Sequence, residues 1–284
     1  PASAFESCQS LTDIVLPDGI TEIGESAFTG KYIAPNTKPY TGAAFTSITI
    51  PASVTTISAN AFQYCRNLET IIFKGTITDI GASAFAECVS LKNIDLSNVT
   101  NYGASVFTGA GLENVTLRGD ATYGKTVFQN CTDLKTVTFT DGDATLGASM
   151  FSGCTSLTKV TLPGKITAIP SSLFASCSAL TEVNIPETVT TIGSSAFSGC
   201  SSLKSVNLGD KITTIDAYAF QNCTSIQSIN IPMNVYEIDT SGIFGGWTAE
   251  QTINFGYEGY QAFRLYGEKL LNGCAAKVNF GVTK

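Results

Sequence analysis

The sequence predicts an elongated solenoid with a parallel β-sheet on one face, and with short strands and single helical turns on the other. Three observations support this fold class. A phenylalanine recurs in steps of 21–24 residues, with one step of 34, and a fixed period of this size is typical of repeat proteins. Each period carries the pattern L-x-x-L-x-L, which suits a short strand. No single period can bury its own apolar residues, so neighbouring units must stack. The recurring residues are Phe5, Phe28, Phe62, Phe85, Phe107, Phe128, Phe151, Phe174, Phe197, Phe220 and Phe244.

Each repeat divides into three predicted elements. The stretch LTEVNIP at 180–186 alternates apolar and polar residues, which predicts a strand with every second side chain turned inward. VTTI at 189–192 predicts a second short strand. The motif AF-x-x-C-x-x-L at 196–203 places apolar residues about three apart. That spacing predicts one inward-facing turn of 3₁₀-helix or α-helix.

The repeat resembles a known family. Its consensus, L-x-x-I-x-I-P-x-x-V-x-x-I-x-x-x-A-F-x-x-C-x-x, is similar to the leucine-rich repeats of the BspA-like class, also called the Treponema pallidum type, over about residues 1–255. Units near 98–125 depart from it, because Ala110 replaces the cysteine and Tyr102 and Tyr123 replace an isoleucine. The resemblance implies a leucine-rich-repeat solenoid. It also implies a bacterial or protozoan surface protein that binds other proteins or host matrix, and it supplies no catalytic residues.

The whole chain, 1–284, is predicted to be a single solenoid domain. Repeats fill 1–255, and about eleven residues are inserted near 31–41, where the long step falls. Residues 256–284 are predicted to form a C-terminal cap. In this segment, aromatic and leucine residues three or four apart predict an amphipathic helix, and KVNF at 277–280 predicts a last strand. A helix that binds a partner is the alternative to a cap.

Composition excludes several functions. No apolar run approaches the roughly 18 to 20 residues of a membrane span, so direct membrane insertion is not expected. A net charge of −7 argues against nucleic acid as a partner. The chain has no histidine, which removes histidine-dependent catalytic triads and histidine metal ligands. We expect no enzyme activity, no cofactor and no metal site. The short acidic sequence DGD at 141–143 is not followed by the carboxylates of a calcium loop.

Eight of the nine cysteines occupy the same repeat position and are predicted to be buried free thiols. Stacked coils lie about 5 Å apart, within reach of a disulfide, so disulfides between neighbouring coils remain an alternative. Against them, an inward thiol beside Phe and Leu behaves as a small hydrophobe. The in-phase residues are Cys8, Cys65, Cys88, Cys131, Cys154, Cys177, Cys200 and Cys223, and Cys274 is out of phase.

One outward column of the predicted sheet changes from threonine to asparagine along the chain. Two explanations stay open. Stacked amides can hydrogen-bond along a ladder, or the column can line a ligand-binding groove. The candidate ligand-binding residues in this column are Asn184, Asn207, Asn230 and Asn254.

The insertion at 31–41 supplies aromatic residues that the outward sheet positions lack. Tyr32 and Tyr40 are therefore candidate ligand-binding residues, because loops on a rigid scaffold often carry binding function. Solenoids also tolerate loop insertions at little cost, so these tyrosines could instead cover the edge of a coil.

Taken together, these features predict a non-enzymatic binding or adhesion module of a secreted or cell-surface protein. Its expected ligand is a protein or a glycan, on host matrix or on another cell surface. A monomer is expected. The alternative is a structural spacer that presents another module and has no ligand of its own, and an enzyme with a site at the solenoid edge is a remote third hypothesis.

Overall fold

The chain forms a parallel solenoid built from short strands. The computed structural model describes residues 1–30, 42–239, 241–256, 271 and 273–281. Within these ranges every strand pair is parallel. The strands are β1 (Glu22–Ile23), β2 (Ser47–Ile50), β3 (Thr56–Ile57), β4 (Thr70–Phe73), β5 (Asp79–Ile80), β6 (Asn101–Tyr102), β7 (Asn114–Leu117), β8 (Thr122–Tyr123), β9 (Thr136–Phe139), β10 (Lys159–Thr161), β11 (Ala168–Ile169), β12 (Glu182–Val183), β13 (Thr191–Ile192), β14 (Ser205–Val206), β15 (Thr214–Ile215), β16 (Ser228–Ile231), β17 (Glu237–Ile238), β18 (Thr252–Phe255) and β19 (Lys277–Phe280).

These strands line two faces, which we name the front and back sheets. The front sheet consists of the blocks β2-β4, β7-β9-β10-β12-β14 and β16-β18-β19. The back sheet consists of the two-residue strands β1-β3-β5-β6-β8 and β11-β13-β15-β17. Register follows the repeat: Val160 pairs with Val183, and Val183 with Val206. The predicted stacking of equivalent residues in a parallel sheet is confirmed.

Side chains alternate across the front sheet as the pattern L-x-x-L-x-L predicts. In β2, β7 and β16 the burial order is exposed, buried, exposed, buried. Val183 and Ile185 are buried, whereas Asn184 between them is exposed. The strand propensity of valine and isoleucine and their burial therefore favour the same register.

The recurring phenylalanines form one continuous stack through the core. Rings in successive coils have centroids 5.1–6.2 Å apart and planes within 24° of each other. All are buried except Phe5, which is partly exposed in the first coil. Because each inner ring contacts the rings of both neighbouring coils, the core is shared along the whole stack and no coil has a core of its own.

The predicted helical turn beside each phenylalanine is wrong. Around Phe174 the backbone forms linked β-turns: Leu173 N donates to Pro170 O at 3.2 Å, and Cys177 N donates to Phe174 O at 3.1 Å. Ser172 (φ 56°) and Ser176 (φ 61°) adopt the left-handed conformation, which interrupts any right-handed helix. The described residues contain no helix.

Hydrogen bonding between coils explains why turns replace the helix. Ser172 N and Phe174 N donate to the carbonyls of Ser194 and Ala196 in the following coil, each at 2.8 Å. In a helix these N–H groups would be used within the segment. The residue before a back-sheet strand bonds in the opposite direction, since Thr190 N donates to Thr167 O of the preceding coil at 2.8 Å.

Two sequence predictions fall largely outside the described residues. The insertion at 31–41 and the cap helix predicted between 257 and 270 lie outside the described residues. The predicted last strand, KVNF, is confirmed as β19, which pairs with β18. Phe280 stacks on Phe255 with ring centroids 5.8 Å apart.

Candidate functional site

An open depression lies on the front sheet, and we name it the central depression. Its volume is about 720 Å³, and it is formed by β10, β12 and β14 with the loops that follow β10 and β12. This volume falls in the range of small-ligand sites, roughly 300–1,000 Å³. Its polar lining consists of Lys159, Thr161, Glu182, Asn184, Glu187, Thr188, Ser205 and Asn207.

The strands are short at this place. In the coil of β9, Thr140 N donates to Leu117 O at 2.9 Å and so extends the ladder past the strand. Pro163 and Pro186 stand at the same position in the next two coils and have no N–H to donate. Proline alone does not set the length, because Pro51 and Pro232 follow the four-residue strands β2 and β16, and Gly209 stands at this position after the two-residue β14. β10 has three residues and β12 two, against four in β9. The loops that turn away early form one wall of the depression.

The sequence left two explanations open for the asparagine column, an amide ladder and a ligand-binding groove. Each explanation fits one part of the column. Asn254 Nδ2 donates to Asn230 Oδ1 at 2.8 Å, and Asn279 Nδ2 donates to Asn254 Oδ1 at 3.0 Å. These three residues form an amide ladder. Asn184 and Asn207 instead lie in the central depression, and neither amide has a hydrogen-bond partner among the described residues. The other two candidates, Tyr32 and Tyr40, lie outside the described residues.

The N-terminal part of the front face carries paired charges. Lys135 Nζ lies 2.7 Å from Glu113 Oε2, and Lys92 Nζ lies 2.6 Å from Asp133 Oδ2. The hydrogen bond from Lys135 lowers the pKa of Glu113 below its ordinary value. Thr136 Oγ1 bonds Asn114 Oδ1 at 2.6 Å. Side chains satisfied by each other are less available to a ligand.

The central depression differs from these flanks. Lys159 and Glu182 are register partners on β10 and β12, but they form no ion pair within the described part of the chain. The depression therefore presents a cation, two carboxylates, two amides and the hydroxyls of Thr161 and Ser205, and none of these side chains has a hydrogen-bond or ion-pair partner among the described residues. Sequence reasoning did not single out Ser205 or the wall at Pro186. Proline is the consensus residue at this position of the repeat, so it gave no signal there.

Seven cysteines form a buried column of thiols, as predicted. Each Sγ donates to the carbonyl of the phenylalanine in the preceding coil at 3.0–3.3 Å. Burial raises the pKa of Cys65 and Cys223 to about 12. A thiol in this state is a poor nucleophile. The column supports the core and supplies no reactive centre.

Both ends of the column depart from the prediction. Cys8 is exposed, which corrects the expectation that all eight in-phase thiols are buried; its coil packs against a neighbour on one side only. In the last coil Trp247 occupies the cysteine position, and its Nε1 donates to Phe220 O at 2.9 Å. Trp247 therefore replaces the sulfur donor with an indole N–H, whereas Ala110 offers Phe85 O no side-chain donor.

Within the described ranges, no group of three or more His, Cys, Asp or Glu side chains is arranged to hold a metal ion. The same residues contain no helix of the length and apolarity that crossing a bilayer requires.

Comparison with known proteins agrees with the geometry. Residues 1–122, 36–157 and 121–249 match the BspA type leucine rich repeat region, in six copies. A leucine-rich repeat protein from Bacteroides ovatus has the same fold, with 26% identity and a TM-score of 0.72 over 98% of this chain and 80% of that one. No curated protein matches the chain.

Two further solved structures are more distant. A leucine rich cell surface protein from Faecalibacterium prausnitzii is 21% identical, with a TM-score of 0.40 over 84% of this chain and 80% of that chain. The leucine-rich repeat protein of T. pallidum is 22% identical, with a TM-score of 0.43 over 70% of this chain and 87% of that chain. The repeat match spans most of the sequence, and the stacked phenylalanines and thiols supply its physical basis: the chain belongs to the BspA type leucine-rich repeat family.

Proposed function

We propose that this chain is a non-enzymatic binding module of a secreted or cell-surface protein, and that the front sheet contacts its ligand. The observation that carries the proposal is the central depression. There Asn184 and Asn207 present amides without protein partners, whereas Asn230 and Asn254 bond each other. Membership of a repeat family of scaffold proteins is consistent with a recognition role.

The insertion at 31–41 remains a candidate second contact. Tyr32 and Tyr40 are the type of residue that anchors protein interfaces, and the lining of the central depression contains no aromatic residue. We propose that the loop supplies apolar anchors and the sheet supplies hydrogen bonds to one ligand, which is a protein or a glycan on host matrix or on another cell surface.

A spacer without a ligand is the second candidate. The paired charges Lys135–Glu113 and Lys92–Asp133 favour it, because a surface satisfied by itself resists association.

Solid-phase binding to extracellular matrix proteins and to whole cells tests the proposal. Asn184→Ala combined with Asn207→Ala should weaken binding about tenfold, near 1.4 kcal/mol, and deletion of 31–41 should weaken it by a similar factor. Asn254→Ala is the matched control, because it should lower stability by about 1 kcal/mol through the ladder and leave binding intact.

Absence of binding to every matrix protein and cell type would favour the spacer. If the 31–41 deletion unfolds the chain, the insertion belongs to the scaffold and its binding role is withdrawn. Light scattering of the unbound protein tests the proposed monomer.

A further inference from the structure

We propose that the central depression binds an uncharged oligosaccharide. This inference rests on the proposed binding function and narrows it to one ligand class at one place. Four observations carry it: the hydrogen-bonding types that line the depression, their charge balance, the missing protein-type anchors, and an apolar wall beside the polar rows.

The lining groups match hydroxyls. An asparagine amide offers two donors and two acceptor lone pairs, and a sugar hydroxyl is at once a donor and an acceptor. Asn184 and Asn207 are adjacent members of one column, and Ser205 and Thr161 add two hydroxyls within the same depression. Because no described residue pairs with either amide, a ligand would displace water only and would break no protein hydrogen bond.

The charges favour a neutral ligand. Lys159 and Glu182 are register partners of opposite sign, and Glu187 adds a second carboxylate at the rim. A sulfated or uronic acid polymer would meet carboxylates as well as the lysine. Each ionised group can also bond a hydroxyl, and hydrogen bonds to charged groups are stronger than neutral ones.

The lining does not resemble the centre of a protein interface. Such centres are enriched in Trp, Tyr and Arg, and the depression contains none of them. Its apolar lining consists instead of the partly exposed Pro186 and the edges of Val160, Leu162 and Val183, which are only 5–8% exposed. A proline ring beside rows of polar groups suits a sugar ring, which has C–H bonds on its faces and hydroxyls at its rim.

The dimensions suit a short chain rather than a single sugar. The depression spans three coils, and neighbouring strands lie about 4.8 Å apart, so its length along the solenoid is roughly 10 Å. Its volume of about 720 Å³ is open to solvent on one side, which allows a longer oligosaccharide to extend beyond both ends.

Isothermal titration of the full chain with defined hexasaccharides tests the inference. The neutral probes are cellohexaose, maltohexaose, mannohexaose, xylohexaose and chitohexaose, and the charged probes are hexagalacturonate and a heparin-derived hexasaccharide. We expect at least one neutral probe to bind with a millimolar or lower Kd, and the charged probes to bind at least tenfold more weakly.

Variants assign that binding to the depression. Asn184→Ala with Asn207→Ala should weaken it about tenfold or more, and Glu182→Gln should weaken it severalfold. Asn254→Ala and Thr116→Ala are controls outside the depression and should leave the Kd unchanged. A cooperative melting transition above the titration temperature shows that each variant is folded, and among the controls only Asn254→Ala should melt at a lower temperature, because it loses its ladder bonds.

The inference is overturned if no neutral probe binds, if a charged probe binds more tightly, or if the depression variants bind as well as the controls. If a matrix protein binds and the Asn184/Asn207 variant loses that binding while no saccharide binds, the proposed function stands and the oligosaccharide inference falls. If no protein, cell or saccharide ligand binds, both the proposed binding function and the oligosaccharide inference are overturned.

Discussion

Each buried thiol completes the hydrogen bonding of a core carbonyl. Phe151 O accepts from Cys154 N in its own turn at 3.1 Å and from Cys177 Sγ in the next coil at 3.1 Å. A carbonyl has two lone pairs, and both are used although the group lies in an apolar core. The thiol is therefore more than a space-filling residue of the right volume.

Alkaline pH should unfold the protein cooperatively. Burial raises the pKa of Cys65 and Cys223 from 9.0 to about 12, and it also raises the pKa of the thiols between them well above the ordinary value. The folded state therefore keeps protons that the unfolded chain releases. The contribution of these thiols to stability should be constant below pH 9 and fall by about 1.4 kcal/mol per pH unit for each thiol between pH 9 and 12. Urea unfolding at pH 7 to 11 measures the slope.

Cys177→Ala is the control for this prediction. It lowers stability at every pH by removing a donor and leaving a small cavity, but the slope above pH 9 should be shallower than in the parent chain by about one proton. An identical slope would mean that Cys177 ionises in the folded state and is not buried as described.

At the scale of the element, the turn beside every phenylalanine of the stack except Phe28 contains two left-handed residues. They lie two positions before and two after the ring, as at Ser172 and Ser176 for Phe174. At Phe28 only Ser26, two positions before the ring, is left-handed. Serine, asparagine and glycine occupy most of these positions, because a side chain there costs roughly 1–2 kcal/mol. The turn is therefore specified by small residues more than by helix propensity.

Gly199→Ala should destabilise the protein by about 1–2 kcal/mol. Gly199 has φ +76°, and a Cβ there would meet only ordinary contacts at 3.4–3.6 Å from Ser176, so the cost is conformational. Gly209→Ala is the matched control, because its φ is not positive and its Cβ would lie 3.9 Å from Glu187 Cα. Chemical denaturation of both variants measures the difference, and equal stabilities would contradict the left-handed assignment.

The strands were predictable from the sequence, and the turns were not. Alternation in LTEVNIP determines which side chains face inward, and burial of Val183 and Ile185 follows it. Spacing of three around Phe197 is compatible with a helix and with linked β-turns alike. Only the small residues Ser195 and Gly199 distinguish them, since they take the left-handed conformation.

The candidate site was predictable as a column but not as a depression. Repeat alignment alone places Asn184, Asn207, Asn230 and Asn254 in one outward row. The asparagines that bond each other, Asn230 and Asn254, lie within the four-residue strands β16 and β18, whereas Asn184 and Asn207 follow the two-residue strands β12 and β14. Which side chains of neighbouring coils come within hydrogen-bonding distance depends on three-dimensional packing, and the sequence of a single repeat does not encode that packing.

At the scale of the whole molecule, stability passes from coil to coil through the phenylalanine stack. Phe174→Ala should cost about 3 to 5 kcal/mol, as for other buried aromatic truncations. It should also broaden the unfolding transition, because coils on either side of the gap lose their shared core. Calorimetry measures both effects.

Phe5→Ala is the comparison for the stack. Phe5 is partly exposed, and among the described residues it stacks on a single ring, that of Phe28, at 5.3 Å. Its truncation should cost under about 2 kcal/mol and leave the width of the transition unchanged. Equal losses for Phe5→Ala and Phe174→Ala would show that stability does not depend on position along the solenoid.

The hydrogen bonds between coils bear on how such a gene can change. The turn of a coil donates to the following coil, as at Phe174 N, and the residue before a back-sheet strand donates to the preceding coil, as at Thr190 N. Every coil thus presents the same pattern of donors and acceptors to the coil that follows it, and the complementary pattern to the coil that precedes it. Removing or duplicating one 23-residue unit brings two matching surfaces together and leaves no unpaired group. Unequal recombination between repeats would therefore alter the length of the protein by whole coils while its fold is retained.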